Sequence, residues 1–301
     1  MKKHNTYVEA IWIKILVLGA TGVVGFHLTQ RLEKTHEIIR AARNSKSADM
    51  RVDLSTEAGV MRALDCRPDV VINAVKPALS VDEMETNWQE AYNLNALLPE
   101  RLARQQKKMG FLLVQMSSDG VYPGRKGKIY DEGSQTYPQN YYCYTKAIAE
   151  ERIACIAQDY LILRTEGVFG YDEKGTNFFM RMADADRAKR AFCAAADQFS
   201  QPICALELSR LAESLITKGR RGIYNACGCD FVSRYQLAAK IKCEMGWKIS
   251  LKKSSINDRK IPVQPYLQVD ISKIERDAGK VASLSSQIGE LKRWMDENRY
   301  V

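Results

Sequence analysis

The segment Gly19-Ala20-Thr21-Gly22-Val23-Val24-Gly25, directly after the mostly apolar run Ile13–Leu18, constrains the fold more than any other stretch. Glycines at every third position have separate jobs in a strand–turn–helix unit. The first allows a tight turn, the second lets a phosphate approach the backbone, and the third lets helix and strand pack closely. The helix that follows opens with free N–H groups and a partial positive charge, which suit an anion. A glycine turn alone can merely join a strand to a helix. Its place at the first strand and helix of the chain favours a dinucleotide site.

Strand-like and helix-like segments then alternate. Strands are expected at Ile13–Leu18, Glu37–Ala42, Val70–Ala74, Phe111–Met116 and Tyr160–Arg164, and helices at Val23–Leu32, Met84–Lys107 and Asn140–Ala157. The strands are continuously apolar rather than alternating, so both of their faces are buried. The expected fold class is α/β, a doubly wound parallel sheet (Rossmann) with a smaller C-terminal substrate-binding part. Residues 11–170 are expected to form the dinucleotide-binding domain. Residues 171–301 are expected to be mainly substrate-binding, with one or two elements returning to the main sheet. Helices are expected there at Asn177–Arg190, Ala205–Ile216, Ser233–Met245 and Ser286–Asn298, with a short strand at Gly222–Ala226. The stretch Ile249–Val269 is basic, punctuated by Pro262 and Pro265, and reads as irregular.

Composition excludes several function classes. The 301 residues, 46% of them hydrophobic, suffice for a substantial core. The net charge of +9 is spread out, apart from small clusters such as Arg104–Lys108 and Arg187–Arg190. It reads either as an ordinary solvated basic surface or as one that attracts anionic small ligands. No helix–turn–helix, finger or RNA-binding motif appears, so no nucleic acid partner is expected. The eight cysteines are scattered, several in apolar surroundings such as Ile203-Cys204-Ala205, which fits reduced thiols and a cytoplasmic location. Cys227-Gly228-Cys229 lacks a second cysteine pair or a nearby histidine, so no metal site is expected. Ile11–Leu18 runs straight into the glycine turn and belongs to a strand, not a signal peptide. No apolar run approaches the ~18 residues of a membrane span.

Chemistry enters with Tyr142-Cys143-Tyr144-Thr145-Lys146. Tyr142 and Lys146 are one helical turn apart and share a face, which singles out Tyr142 from Tyr141 and Tyr144. A free phenol has a pKa of about 10, and a nearby cation lowers it by roughly 1–3 units toward useful acid–base work. Ser118, at the exit of the strand Phe111–Met116, is placed to hydrogen-bond the same substrate oxygen. A solvated Tyr/Lys pair with a turn serine is the plain alternative; the preceding glycine turn argues against it. Cofactor choice rests on Ile39-Arg40-Ala41-Ala42-Arg43, which lacks the acidic residue of an NAD site and ends in Arg43. A guanidinium suits a 2′-phosphate, so NADP(H) is favoured over NAD(H). Asp53 is placed either to meet an adenine or to lie on the surface.

With these residues in view, the chain resembles the extended short-chain dehydrogenase/reductase superfamily, and within it the dTDP-4-dehydrorhamnose reductase family. The likeness runs through Gly19–Gly25, Val71-Ile72-Asn73-Ala74, Asn95-Ala96, Ser117-Ser118-Asp119-Gly120-Val121-Tyr122 and Tyr142–Lys146. It continues in Leu163-Arg164-Thr165, Asn177-Phe178, Asp197-Gln198 and Asp270-Ile271-Ser272-Lys273. The resemblance implies that Gly19, Thr21, Gly22, Val23, Val24 and Gly25 cradle the pyrophosphate, that Asp53 and Leu54 border the adenine, and that Ala74, Val75 and Lys76 line the ribose–nicotinamide side. It implies that Ser118 and Tyr142 hold a keto oxygen, that Lys146 bonds the nicotinamide ribose, and that Asp119 and Asn177 face the substrate. The implied activity is NADP(H)-dependent reduction of a nucleotide-linked 4-keto-sugar or similar carbonyl, with Tyr142 as proton donor. The chain departs from the family at Gly120, where an aromatic residue is usual, at Glu166-Gly167, where the segment usually holds tryptophan, and at Lys76, where relatives carry small residues.

Two other functions stay open at this point. One is a sugar-nucleotide epimerase that keeps its NAD bound. The other is a regulatory subunit resembling the β subunit of methionine adenosyltransferase. Relatives also often pair through the long helices, so a homodimer is a possible assembly.

Overall fold

Strands that are apolar throughout must be covered on both sides, and the computed structural model, which describes residues 12–300, shows how. The chain runs β1 (Lys14–Leu18), α1 (Val23–Leu32), β2 (Glu37–Ala42), β3 (Met50–Arg51), α2 (Glu57–Leu64), β4 (Val70–Asn73), α3 (Val81–Met84), α4 (Trp88–Tyr92), α5 (Leu98–Met109), β5 (Leu112–Ser118), β6 (Ile129–Tyr130), α6 (Tyr141–Ile156) and β7 (Tyr160–Thr165). It continues with α7 (Phe178–Arg187), β8 (Phe192–Ala195), β9 (Phe199–Ser200), α8 (Ala205–Thr217), β10 (Gly222–Asn225), β11 (Val232–Ser233), α9 (Arg234–Met245), β12 (Leu251–Ser254), β13 (Gln268–Val269), α10 (Ser272–Ala278) and α11 (Leu284–Asn298). Ile11 and Val301, the outer ends of two expected segments, lie outside the described residues.

Seven parallel strands form the central sheet in the order β10-β7-β5-β4-β1-β2-β3. Leu28 and Leu32 of α1, Leu208, Leu211 and Leu215 of α8 and Ile274 of α10 cover the face that presents Ile15 and Val17. Val60 of α2, Leu102 of α5 and Ile153 of α6 cover the face that presents Leu16 and Leu18. This is the α/β doubly wound sheet expected from the strand pattern. From β1 the chain winds one way to β2 and β3 and the other way from β4 onward. The switch point, where open α/β sheets hold ligands, therefore lies at the carboxyl ends of β1 and β4. A third cluster joins α7, α9 and α11 to the β8–β12 pair through Phe179, Phe192, Leu237 and Ile288.

Two regions differ from the sequence reading. The helix expected over Met84–Lys107 starts later, at Trp88, and runs without interruption through α4, a π-helical turn at Asn93–Leu97 and α5; only the short α3 stands apart before it. Pro99 at the start of α5 explains the widening, because its ring cannot fit against the carbonyl four residues back. Ile249–Val269 is not wholly irregular: β12 pairs in parallel with β8, and β13 pairs with β6. Among the described residues no helix is long and apolar enough to cross a membrane.

One ion pair ties the sheet to the site. Arg164 on β7 donates to both carboxylate oxygens of Glu150 on α6, with Nη2 2.6 Å from Oε2. Its Nη1 donates to the Tyr122 hydroxyl at 2.6 Å, and Tyr122 donates in turn to Asn225 at the end of β10 at 2.8 Å. Ser117 on β5 donates to Glu150 as well. Both charges are almost fully buried, so the pair survives only because its lone pairs and protons are nearly all used.

Candidate active site

Ser118 and Tyr142 meet because β5 ends where α6 begins. Ser118, the last residue of β5, is buried, and its Oγ accepts the Gly120 N–H at 3.0 Å. Asn140 caps α6 by accepting the Cys143 N–H at 3.0 Å, which fixes the turn that carries Tyr142. One turn on, Lys146 is buried, with Nζ donating to the Met116 carbonyl at 3.1 Å and lying 5.8 Å from the Tyr142 ring centroid. Serine, phenol and ammonium thus converge at the carboxyl end of β5.

The electrostatics differ from the sequence expectation. The Tyr142 phenol is pushed above the ordinary tyrosine range, first by burial and then by Cys143, Glu166 and Asp119, while a hydrogen bond with Ser118 works the other way. Lys146 is not among the main causes of this shift; burial, and then Lys76, push its own pKa down to about 8, which leaves it mostly charged at neutral pH. A phenol that keeps its proton is equipped to act as an acid.

The glycine turn fits a dinucleotide. Gly19 has φ +79°, and a Cβ there would come within 2.8 Å of the Ala74 carbonyl oxygen, so turn and β4 end touch. At Gly22 a Cβ would meet nothing of the protein closer than 3.6 Å, which leaves room at the helix mouth. Gly22 supplies no side-chain cap to α1, so the N–H groups of Val23, Val24 and Gly25 remain available to an anion. Thr21 is buried in the turn. Arg43 is exposed just past β2 and forms no ion pair among the described residues, unlike Arg40, which is tied to Glu33 and Asp49. Asp53 accepts the Ser55 N–H at 3.0 Å, and its carboxyl is held below the usual range, mainly by Ser55 and in part by Arg43. Leu54 is buried beside it. Ala74 and Val75 are partly exposed at the end of β4, where Lys76 turns its ammonium onto the Leu79 carbonyl at 2.6 Å.

The two remaining substrate-side expectations have other surroundings. Asn177 is engaged throughout: Oδ1 accepts from the N–H groups of Phe179 and Met180, and Nδ2 donates to the Gly170 carbonyl and to Asp172. Its amide caps α7 and pins the loop before it. Asp119 is buried, 1% exposed, directly after Ser118 at the end of β5. Glu166, noted from sequence as a departure from the family, and Arg234, which the motif reading did not name, stand next to it, with Arg234 Nη2 3.7 Å from Glu166 Oε1. Among the described residues no group of acidic, cysteine or histidine side chains is arranged to hold a metal ion. Cys227 is buried and Cys229 exposed.

Gly120 has a local explanation. A Cβ there would lie 2.5 Å from Cys143 Sγ, so the thiol of α6 fills the space an aromatic or even a methyl group would need. Gly120→Ala is expected to cost about 1–3 kcal/mol from overpacking, and Cys143→Ala in the same chain to restore most of it. Urea unfolding of the single and double variants measures this; equal stabilities for both would refute the contact.

Comparison with known proteins gives the family and the fold. The family described as RmlD substrate binding domain matches residues 13–282. A dTDP-4-dehydrorhamnose reductase of Burkholderia thailandensis is 32% identical over 198 residues, which cover 65% of this chain and 63% of that protein, slightly under two thirds of its length. A probable dTDP-4,6-dihydroxy-2-methyloxan-3-one 4-ketoreductase of Streptomyces antibioticus is 30% identical over 234 residues, 75% of each chain. The dTDP-4-dehydrorhamnose reductase of Bacillus anthracis, solved in complex with NADP, has the same fold, with a TM-score of 0.83 at 22% identity over 95% of this chain and 100% of that one. The chain belongs to the RmlD substrate binding domain family, within the extended short-chain dehydrogenase/reductase superfamily that its motifs resemble.

Proposed function

We propose that the protein is an NADP(H)-dependent reductase of a nucleotide-linked 4-keto-sugar or a similar carbonyl compound. The observation that carries this reading is the convergence of Ser118, Tyr142 and Lys146 at the carboxyl end of the sheet, beside the switch point occupied by the glycine turn. A bound dihydronicotinamide supplies the hydride. Ser118 and Tyr142 hold the keto oxygen and stabilise the charge that develops on it, and Tyr142 Oη delivers the proton. Lys146 anchors the nicotinamide ribose. The uncapped start of α1 holds the pyrophosphate, and the exposed guanidinium of Arg43 receives the 2′-phosphate. The NADP complex of the Bacillus anthracis reductase is in keeping with this choice of cofactor. A panel of nucleoside-diphospho-keto-sugars and simple ketones, followed by NADPH absorbance, tests the reading; no oxidation of NADPH with any of them would reject it.

Cofactor binding should also take up protons. In the free protein Lys146 loses its proton as the pH rises through about 8. An anionic dinucleotide beside it favours the charged form and raises that pKa, so the bound state holds more protons just above pH 8. Calorimetric titration with NADPH in buffers of different ionisation enthalpy should show net uptake there, and Lys146→Met should remove it. Uptake unchanged in that variant would assign the proton elsewhere.

Pairing of two copies through the outer surfaces of α4 and α6 goes with this reading. Trp88 and Tyr144 are exposed there, at 53% and 48%. Light scattering that gives only monomer would reject the pairing.

A further inference from the structure

A residue from far along the chain reaches into the turn that follows Ser118. Gln264 lies in the stretch between β12 and β13 and is 3% exposed. Its Nε2 donates to the Gly120 carbonyl at 2.6 Å and to the Tyr122 carbonyl at 3.2 Å, so both amide protons are used on one short segment. The segment makes room for it: a Cβ on Gly124, at φ +69°, would lie 2.4 Å from Gln264 Cβ. Two residues earlier, the Pro262 carbonyl accepts from Asn140 Nδ2 at 3.2 Å, while Oδ1 of the same asparagine accepts the Cys143 N–H and so caps α6. Just beyond, β13 is paired with β6. Residues Pro262 and Gln264 thus tie together the turn after Ser118 and the start of the helix that carries Tyr142.

The direction of the Ser118 hydroxyl depends on that turn. Ser118 Oγ caps the tight turn Asp119–Val121 by accepting the Gly120 N–H at 3.0 Å. The bond occupies a lone pair and leaves the hydroxyl proton for a second acceptor. Gly120 has no side chain to hold it. Cys143 Sγ bounds it on one side, where a Cβ would come within 2.5 Å, and the Gln264 amide holds its carbonyl. A buried amide with both protons committed fixes a position, whereas an apolar side chain of the same length would only fill space.

We propose that Gln264 is a positioning residue: its amide holds the Gly120 turn so that the Ser118 hydroxyl faces the keto oxygen shared with Tyr142. The proposal rests on the reductase reading and adds to it a residue that acts through Ser118.

The test uses the full chain and Gln264→Met, which keeps the length and removes both donors. With saturating NADPH and a keto-sugar nucleotide that the wild type reduces, kcat should fall about 10–100-fold, as for a reacting group displaced by up to about 1 Å, while the Kd for NADPH stays within about twofold. Ser118→Ala and the double variant complete a cycle. Once the hydroxyl is gone, Gln264→Met should cost less than about threefold in kcat, because effects that run through one group do not add. An equal cost in both backgrounds, or an unchanged kcat in Gln264→Met, overturns the proposal and leaves the reductase standing. Gln264→Asn, whose shorter side chain does not reach both carbonyls, takes the same place in the cycle if Gln264→Met folds poorly. If no carbonyl compound is turned over, the reductase reading falls and amide hydrogen exchange decides alone. The Gly120 N–H should then exchange about tenfold faster or more in the variant, with the amides of α9 unchanged. No acceleration at Gly120 overturns the positioning as well.

Discussion

Tyr142→Phe is expected to lower kcat for carbonyl reduction by about 10²–10⁴-fold, the contribution of a positioned general acid. The loss should fall on kcat with little change in KM or in NADPH affinity, because the ring remains and only the proton donor goes. Burial and the neighbouring Glu166 and Asp119 keep the phenol protonated, so the acid is in its working form across neutral pH. Ser118 can still hydrogen-bond the carbonyl oxygen in the variant, since accepting the Gly120 N–H leaves its own proton free, but an aliphatic hydroxyl is a far weaker acid than a phenol and does not replace it. Single-turnover absorbance with saturating NADPH reads the chemical step directly. Activity close to wild type would remove Tyr142 from the role assigned to it, and water or another group would have to supply the proton.

The largest stability effect is expected from breaking the Arg164–Glu150 pair. Glu150→Ala leaves a guanidinium buried without its counter-charge, and a loss of about 3–5 kcal/mol should follow. The network explains why solvent cannot easily repair it: the same guanidinium is committed to the Tyr122 hydroxyl and the Glu132 carbonyl, so it is held where it lies. Replacing both partners with apolar residues, Glu150→Leu with Arg164→Met, should recover a good part of the loss, since no lone charge remains. Chemical denaturation of the single and double variants gives the comparison. A single variant within about 1 kcal/mol of wild type would mean that the pair is open to water, as surface pairs are. Because Ser117, Arg164 and Asn225 sit at or near the carboxyl ends of β5, β7 and β10, the loss should also loosen the strands that present Ser118 and Glu166.

Long buried strands are legible because a continuous apolar run between turn residues is at rest only with both faces covered, and α1 can be bounded at Val23 because Gly22 marks its start. The two-residue strands β3, β6, β9, β11 and β13 carry no periodicity to read. β12 reads Leu-Lys-Lys-Ser, and its strand character comes from pairing with β8 rather than from its own residues. α2 is missing from the expected helices although Thr56 accepts the Gly59 N–H at its start, a capping signal readable from sequence. At the site, spacing alone relates Tyr142 to Lys146, since one helical turn is a local fact. The direction of the Tyr142 shift is not local. It depends on burial and on Glu166, which reaches Tyr142 only through the register of β5 against β7. Asn177 shows the opposite limit: a polar residue before a helix reads equally as ligand contact or cap, and its four hydrogen bonds within the chain show it as a cap.

One edge strand of the parallel sheet, β10, comes from far along the chain, together with the helix α8 that shields one face. A fragment cut near residue 170 would expose the backbone groups of Leu161–Leu163 as a bare rim and strip the leucines of α8 from the layer beneath. Bare rims of that kind recruit foreign strands and aggregate. The first half of this chain is therefore expected not to stand as a free module.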